Sequence, residues 1–79
     1  MNQNEHKVIG YFLQNKDNTF SQLLDDTGMN IHAADEAMKS LLDAGIIKGR
    51  GYAAHIECYY VVGGRQFIAK LGKAFIESQ

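Results

Sequence analysis

The sequence predicts an α+β fold in which three helices are followed by a β-hairpin and a further helix. Three observations support this order. Apolar side chains recur at helical spacing through residues 1–45, residues 46–62 are rich in β-branched and aromatic side chains, and residues 65–77 return to helical spacing. The chain has 79 residues, so we treat residues 1–79 as one domain.

The first two helices are expected to be short and amphipathic. One covers residues 5–15, where apolar side chains recur at positions 8, 9, 12 and 13 before the turn-forming stretch NKDNT. The next covers the stretch FSQLLDDTG, with the Ser21 hydroxyl as its N-cap and a leucine pair on its buried side. Gly28 should close it, because glycine readily adopts the left-handed conformation that ends many helices.

The third helix is expected to begin after Asn30, whose side chain can cap it, and to end at Gly45. Its buried stripe should contain four residues at helical spacing, namely Ala34, Met38, Leu41 and Leu42. Only the short segment TGMN separates this helix from the second one. Two helices joined by a tight turn that contains glycine are typical of a helix-turn-helix, which we place at residues 20–45.

After the third helix the pattern becomes that of β-strands. Two runs rich in β-branched and aromatic residues are separated by the stretch GRGYAAH, which contains two glycines. The sequence therefore predicts an antiparallel hairpin over residues 46–62, with an exposed loop that carries Arg50 and His55. Gly63 and Gly64 should close its second strand. A helix-turn-helix followed by such a hairpin is a winged helix.

The predicted last helix, residues 65–77, has an apolar face formed by Phe67, Ile68, Leu71 and Phe75. This face either packs on the first helix of the same chain or meets a second copy of the protein. Small domains bury a limited core and often gain stability from a partner subunit. We therefore expect a homodimer formed through this face.

Composition and charge narrow the class of protein. No apolar run approaches the roughly 20 residues that span a bilayer, and the first residues lack the features of a signal peptide, so we expect a soluble cytoplasmic protein without a membrane partner. The single cysteine, Cys58, cannot form an internal disulfide. Charge is uneven, because residues 1–45 hold three basic and seven acidic residues, whereas residues 46–79 hold five basic and two acidic ones.

The stretch FSQLLDDTGMNIHAADEAMKSLLDAGIIKGRG resembles the core of bacterial winged-helix regulators of the multiple-antibiotic-resistance and arsenic-repressor groups. Those groups share a small polar residue, a leucine pair, Thr-Gly, a hydrophobic residue, a capping residue and a helix ending in Leu-x-x-x-Gly-Leu-Ile. The corresponding residues here are Ser21, Leu23, Leu24, Thr27, Gly28, Met29, Asn30, Leu41, Gly45, Ile46 and Ile47. The resemblance covers about residues 18–62 and implies a small DNA-binding transcriptional regulator.

The resemblance further implies that the third helix, residues 31–44, enters the major groove of double-stranded DNA and that the hairpin loop reaches the adjacent backbone or minor groove. Eight residues with suitable charges or hydrogen-bonding groups are the expected DNA contacts, namely Asn30, His32, Lys39, Ser40, Lys48, Arg50, Tyr52 and His55. The two hairpin cations are expected to neutralise phosphates. The chain departs from the family where Asp35 and Glu36, and no arginine, take outward positions on this helix.

Other functions have less support in the sequence. His55 and Cys58 are spaced like a pair of ligands, but a zinc site usually takes four, so we expect no metal and a buried Cys58 thiol. The sequence has no recognisable pairing of a nucleophile with a base and no phosphate-binding loop, so we expect neither catalysis nor a cofactor. The acidic third helix leaves one alternative open, a winged helix that binds a basic protein instead of DNA.

Overall fold

A computed structural model describes residues 2–53 and 56–64. In chain order its elements are α1 Gln3–Gln14, β1 Asn18–Thr19, α2 Phe20–Thr27, α3 Ile31–Asp43, β2 Ile47–Ala53 and β3 Ile56–Val61. The strands form one antiparallel sheet in the order β1-β3-β2. This α+β arrangement of three helices and a small sheet is compatible with a winged-helix-like layout. Among the described residues, no helix is both long and apolar enough to cross a membrane.

Helix α1 begins earlier than the sequence pattern predicts. Asn2 caps it in a capping box, in which the Asn2 side chain accepts a hydrogen bond from the Glu5 backbone N–H at 2.8 Å and the Glu5 carboxylate accepts one from the Asn2 N–H. This cap lies outside the apolar repeat. The repeat alone therefore places the start of the helix two residues too late.

Strand β1 and the start of α2 correct two predictions. The stretch NKDNT is not only a turn, because Asn18 and Thr19 pair with Tyr59 and Cys58 of β3. The N-cap of α2 is Thr19 and not Ser21, since the Thr19 hydroxyl accepts a hydrogen bond from the Gln22 N–H at 3.1 Å. A two-residue strand is too short to leave a periodic pattern in the sequence.

The predicted ends of α2 and α3 are confirmed. Gly28 closes α2 with φ 68°, in the left-handed region. Asn30 caps α3, because its side-chain oxygen accepts hydrogen bonds from the His32 and Ala33 N–H groups at 2.9 and 3.3 Å. At the other end Gly45, with φ 74°, and Ile46 donate back to carbonyl oxygens of the last turn, which is a Schellman ending.

The core lies between the helices and the inner face of the sheet, and α1 packs on both α3 and β3. Its fully or nearly fully buried members are Val8, Ile9, Tyr11, Phe12, Leu23, Ala34, Ala37, Met38, Leu41, Ile47 and Val61. One predicted member is wrong, because the Leu42 side chain is 38% exposed. Ala37 takes its place, since the buried stripe at 34, 37, 38 and 41 is as wide as the predicted one but is rotated towards position 37 on a helix of 3.6 residues per turn.

The hairpin is present, but β2 is longer than predicted. It continues to Ala53 and places Arg50 opposite Cys58 in the ladder, so Arg50 belongs to a strand and not to the loop. Glycine weakens most strands, yet Gly49 fits here because the Glu57 side chain occupies the space that a Cβ would need. Position 55 and the predicted last helix at 65–77 lie outside the described residues.

Candidate nucleic-acid interface

Helix α3 has one buried side and one exposed side. Residues 31, 32, 35, 36 and 39, which the sequence predicts to point outward, are all exposed. Ile31 stands out among them, because an apolar side chain at the first position of the helix is 56% exposed. The helix therefore offers a continuous outer surface from its capped start to its last turn.

Two carboxylates on this outer surface differ in their surroundings. The Asp35 carboxylate pairs with the Lys39 ammonium at 3.0 Å, one helical turn away. Exposed pairs of this kind contribute about 0.3–0.5 kcal/mol, so this one matters for charge balance more than for stability. Glu36 is exposed and has no ionic or hydrogen-bonding partner in residues 2–53 and 56–64. The net negative charge on the outer surface of α3 therefore comes mainly from carboxylates that have no basic partner in the described part of the chain.

Two of the predicted DNA contacts, Asn30 and Ser40, already form hydrogen bonds within the chain. The Asn30 side-chain oxygen is occupied by the helix cap, which leaves its amide NH₂ as the group that can donate outward. Ser40 is exposed, and its hydroxyl donates to the Glu5 carboxylate of α1 at 3.4 Å. Ser40 therefore faces α1 at the side of α3, away from the start of the helix.

The hairpin holds its two predicted cations on β2. Lys48 is exposed and lies opposite Tyr60 in the ladder. Arg50 is fixed more firmly, because its guanidinium carbon lies 4.2 Å from the centre of the Tyr60 ring and its Nη1 lies 3.9 Å from the Asp17 carboxylate. Lys48 is thus the more available cation, whereas Arg50 also stabilises the hairpin.

Asp17 explains why Arg50 is held in this position. Its backbone is left-handed, with φ 60°, and its N–H donates to the Tyr59 carbonyl oxygen at 3.0 Å. One of its carboxylate oxygens is buried without a hydrogen-bond partner, so the Arg50 charge is needed to offset that burial. The sequence does not predict this pair, because residues 17 and 50 meet only through the β1-β3-β2 sheet.

A further cation lies near the hairpin. Lys16 and Arg50 both line a cavity of about 340 Å³ between the end of α1 and the base of the hairpin, together with Phe12, Leu13 and Tyr60. Lys16 is exposed. The fold therefore brings a lysine from the acidic first half of the chain to the cationic hairpin, a grouping that the linear sequence does not show.

A hydrogen-bond network positions α2 against α1. The Tyr11 hydroxyl donates to the Asp26 carboxylate at 2.6 Å and accepts from the Asn18 amide at 3.0 Å, and Gln22 donates to the other Asp26 oxygen at 2.8 Å. Burial, followed by the bond to Asp26, raises the pKa of Tyr11 to about 12. The bonds from Tyr11 and then Gln22 lower the pKa of Asp26.

The remaining predicted residues are placed as follows. Tyr52 lies in β2, whereas His55 and the four apolar residues of the expected dimer face, Phe67, Ile68, Leu71 and Phe75, lie outside the described residues. Cys58 is a buried free thiol, as predicted. In the described part of the chain, His, Cys, Asp and Glu side chains form no group that could hold a metal ion.

Comparisons with known proteins add no relative to this description. No family model, curated protein or solved structure matches the chain. The resemblance to bacterial winged-helix regulators therefore stays a prediction from the residues that carry it.

Proposed function

We propose that the protein is a small DNA-binding transcriptional regulator with α3 in the major groove and the β2–β3 hairpin on the phosphate backbone. The observation that carries this proposal is the relation of α3 to the hairpin. Helix α3 is buried along one side and exposed along the other, and it leads through Gly45 directly into the hairpin strand that presents Lys48. A helix and a β-ribbon placed in this way suit a groove and its adjacent backbone.

Phosphate contacts come from the hairpin side in this proposal. Lys48, Lys16 and the half-exposed Arg50 are the described cations near it. The sequence holds eight basic and nine acidic residues, a formal net charge of −1, so the domain as a whole gains little from attraction to DNA. We therefore expect modest affinity, with a salt dependence set by the small number of cations that neutralise phosphates.

A homodimer is the second part of this proposal. The sequence pattern of the last predicted helix supplies an apolar face for it, and a dimer would contact two half-sites about 34 Å apart. Leu71→Asp should place a charge in that face and convert the dimer to a folded monomer. Sedimentation velocity of both proteins tests this, with circular dichroism to confirm folding. A wild-type chain that is already monomeric at high micromolar concentration would contradict the dimer.

A second function has a specific observation in its favour. Helices α2 and α3 expose five carboxylates, Asp25, Asp26, Asp35, Glu36 and Asp43. Lys39 is the one lysine on these two helices, and it is paired with Asp35. A surface of this charge suits a basic protein partner better than it suits phosphates. The alternative function is therefore a protein-interaction module that uses the same two helices.

A binding selection from genomic DNA fragments at two salt concentrations separates the two functions. The DNA-binding function predicts enrichment of a common site, with weaker retention of all fragments at the higher salt concentration. The protein-interaction function predicts no enrichment at either concentration. Glu36→Lys is a useful companion variant. It should raise retention of DNA if α3 faces the duplex and should leave retention unchanged if it does not.

A further inference from the structure

We infer that Glu36 determines the base preference of α3 and that the DNA site places a cytosine against the middle of this helix. This inference rests on the proposed DNA-binding function. It assigns to Glu36 a role in recognising DNA. Without such a role, the excess of negative charge on α3 would only weaken DNA binding.

The first support is the direction of Glu36. The buried residues of α3 are Ala34, Ala37, Met38 and Leu41. With 3.6 residues per turn, the side of the helix opposite this stripe carries His32, Glu36 and Lys39, whereas Asp35 lies to one flank. Glu36 is therefore the outermost residue of the second turn, within the N-terminal half of α3. Recognition helices of helix-turn-helix proteins contact base edges with their N-terminal residues.

The second support is the difference between the two neighbouring carboxylates. Lys39 already pairs with Asp35 at 3.0 Å, so an Asp35 oxygen is occupied and its charge is offset. Glu36 is exposed and has no partner in the described part of the chain. Its carboxylate keeps its full capacity to accept hydrogen bonds from a ligand.

The chemistry of the major groove then selects the base. An ionised carboxylate can only accept hydrogen bonds. Guanine presents two acceptors in this groove, thymine presents an acceptor and a methyl group, and adenine places an acceptor beside its amino group, whereas cytosine presents only the N4 amino donor. A guanine or thymine at this position would face the carboxylate with acceptor oxygens or nitrogens that repel it. Sites without the cytosine are therefore penalised, which adds to the selectivity.

The test compares the sites selected from random duplexes by wild type, Glu36→Gln and the matched control Asp35→Asn. We expect wild type and Asp35→Asn to share a cytosine position at which other bases bind roughly 5- to 150-fold more weakly, the usual cost of one mismatched base pair. Glu36→Gln should lose that discrimination, because its amide can both donate and accept. For wild type, N4-methylcytosine at the same position should reproduce the loss, because the methyl group replaces the amino hydrogen that faces the groove.

Three results would overturn the inference. If Glu36→Gln binds every sequence more tightly but keeps the wild-type preference, Glu36 only repels phosphates and the DNA-binding function stands. If Asp35→Asn loses the cytosine preference instead, the reading carboxylate is Asp35. If wild type selects no duplex at all, the DNA-binding function fails together with the inference. Circular dichroism of the exposed-site variants separates any of these from loss of folding.

Discussion

The outer surface of α3 and the β2–β3 hairpin are adjacent in the chain and opposite in charge. Helix α3 exposes Asp35, Glu36 and Asp43 against one paired lysine, whereas β2 exposes Lys48 and holds Arg50 over a tyrosine ring. A DNA-binding protein with this division would obtain attraction from the hairpin and discrimination from the helix. The difference suggests that affinity and base preference can be changed separately by mutation.

The two regions are also stabilised differently. Helix α3 is fixed by local hydrogen bonds, through the Asn30 cap and the Schellman ending at Gly45, and by a buried stripe against α1. The hairpin depends on a long-range set, in which Asp17 and Tyr60 hold Arg50. Local bonds are encoded by neighbouring residues, whereas the contacts of the long-range set exist only where the sheet brings their residues together.

The largest expected effect is on stability, and it comes from comparing a buried and an exposed residue of β2. Ile47 is fully buried and Lys48 is exposed. Ile47→Ala should destabilise the fold by about 2–5 kcal/mol through lost burial and a residual cavity, while Lys48→Ala should change stability by less than about 0.5 kcal/mol. Urea denaturation followed by circular dichroism measures both. Equal effects would mean that β2 does not face the core as described.

The next effect concerns the charge on α3. Asp35→Asn combined with Glu36→Gln should raise affinity for non-specific duplexes several-fold, because each exposed carboxylate near a phosphate costs on the order of 1 kcal/mol at contact distance in water. Fluorescence anisotropy at low salt measures this change. Unchanged affinity would place α3 away from DNA and favour the protein-interaction function.

A smaller effect tests the rigid start of α3. Asn30→Ala removes the acceptor for the His32 and Ala33 N–H groups and should cost about 1 kcal/mol of stability. Because these bonds are local to the helix, hydrogen exchange should accelerate most in the first turn of α3 and little in β2 and β3. Equal acceleration in the hairpin would show that the two regions unfold as one unit.

Some of the features behind these predictions can be read from the sequence and others cannot. The caps at Asn30, Gly28 and Gly45 are predictable because their hydrogen bonds join residues only two to five positions apart in the sequence. The predicted loop around Arg50 is wrong because two glycines resemble a loop, and the Glu57 side chain that favours Gly49 in a strand comes from β3. A local pattern cannot show such a partner.

The candidate site shows the same limit. The exposed side of α3 follows from helical periodicity, so the five residues predicted to point outward are exposed, although Leu42, which is predicted to be buried, is exposed as well. The Tyr11–Asp26 bond and the Asp17–Arg50 pair join positions 15 and 33 residues apart in the sequence. Their existence depends on how α1, α2 and the sheet pack, which no spacing rule for a single element contains.

Alkaline titration should distinguish the helical side from the hairpin. Burial raises the pKa of Tyr11 to about 12, and burial also raises the pKa of Tyr59, with Glu57 adding to the effect. A raised folded-state pKa gives stability that is complete below about pH 10 and declines as pH rises towards 12. Thermal unfolding between pH 9 and 12 should show this decline, and Tyr11→Phe should remove only part of it. A decline that Tyr11→Phe leaves unchanged would assign it to other groups.

The most direct test of the central claim is a salt titration of duplex binding by fluorescence anisotropy. It compares wild type, Lys48→Ala, Lys48→Ala with Arg50→Ala, and a charge-matched control, Lys7→Ala, which removes an exposed lysine from α1. Each lost phosphate contact should reduce the slope of log affinity against log salt by about 0.9. We predict a reduction of about 0.9 for Lys48→Ala, a larger one for the double variant, and unchanged base preference. A slope that is the same for all four proteins would contradict a DNA-contacting hairpin.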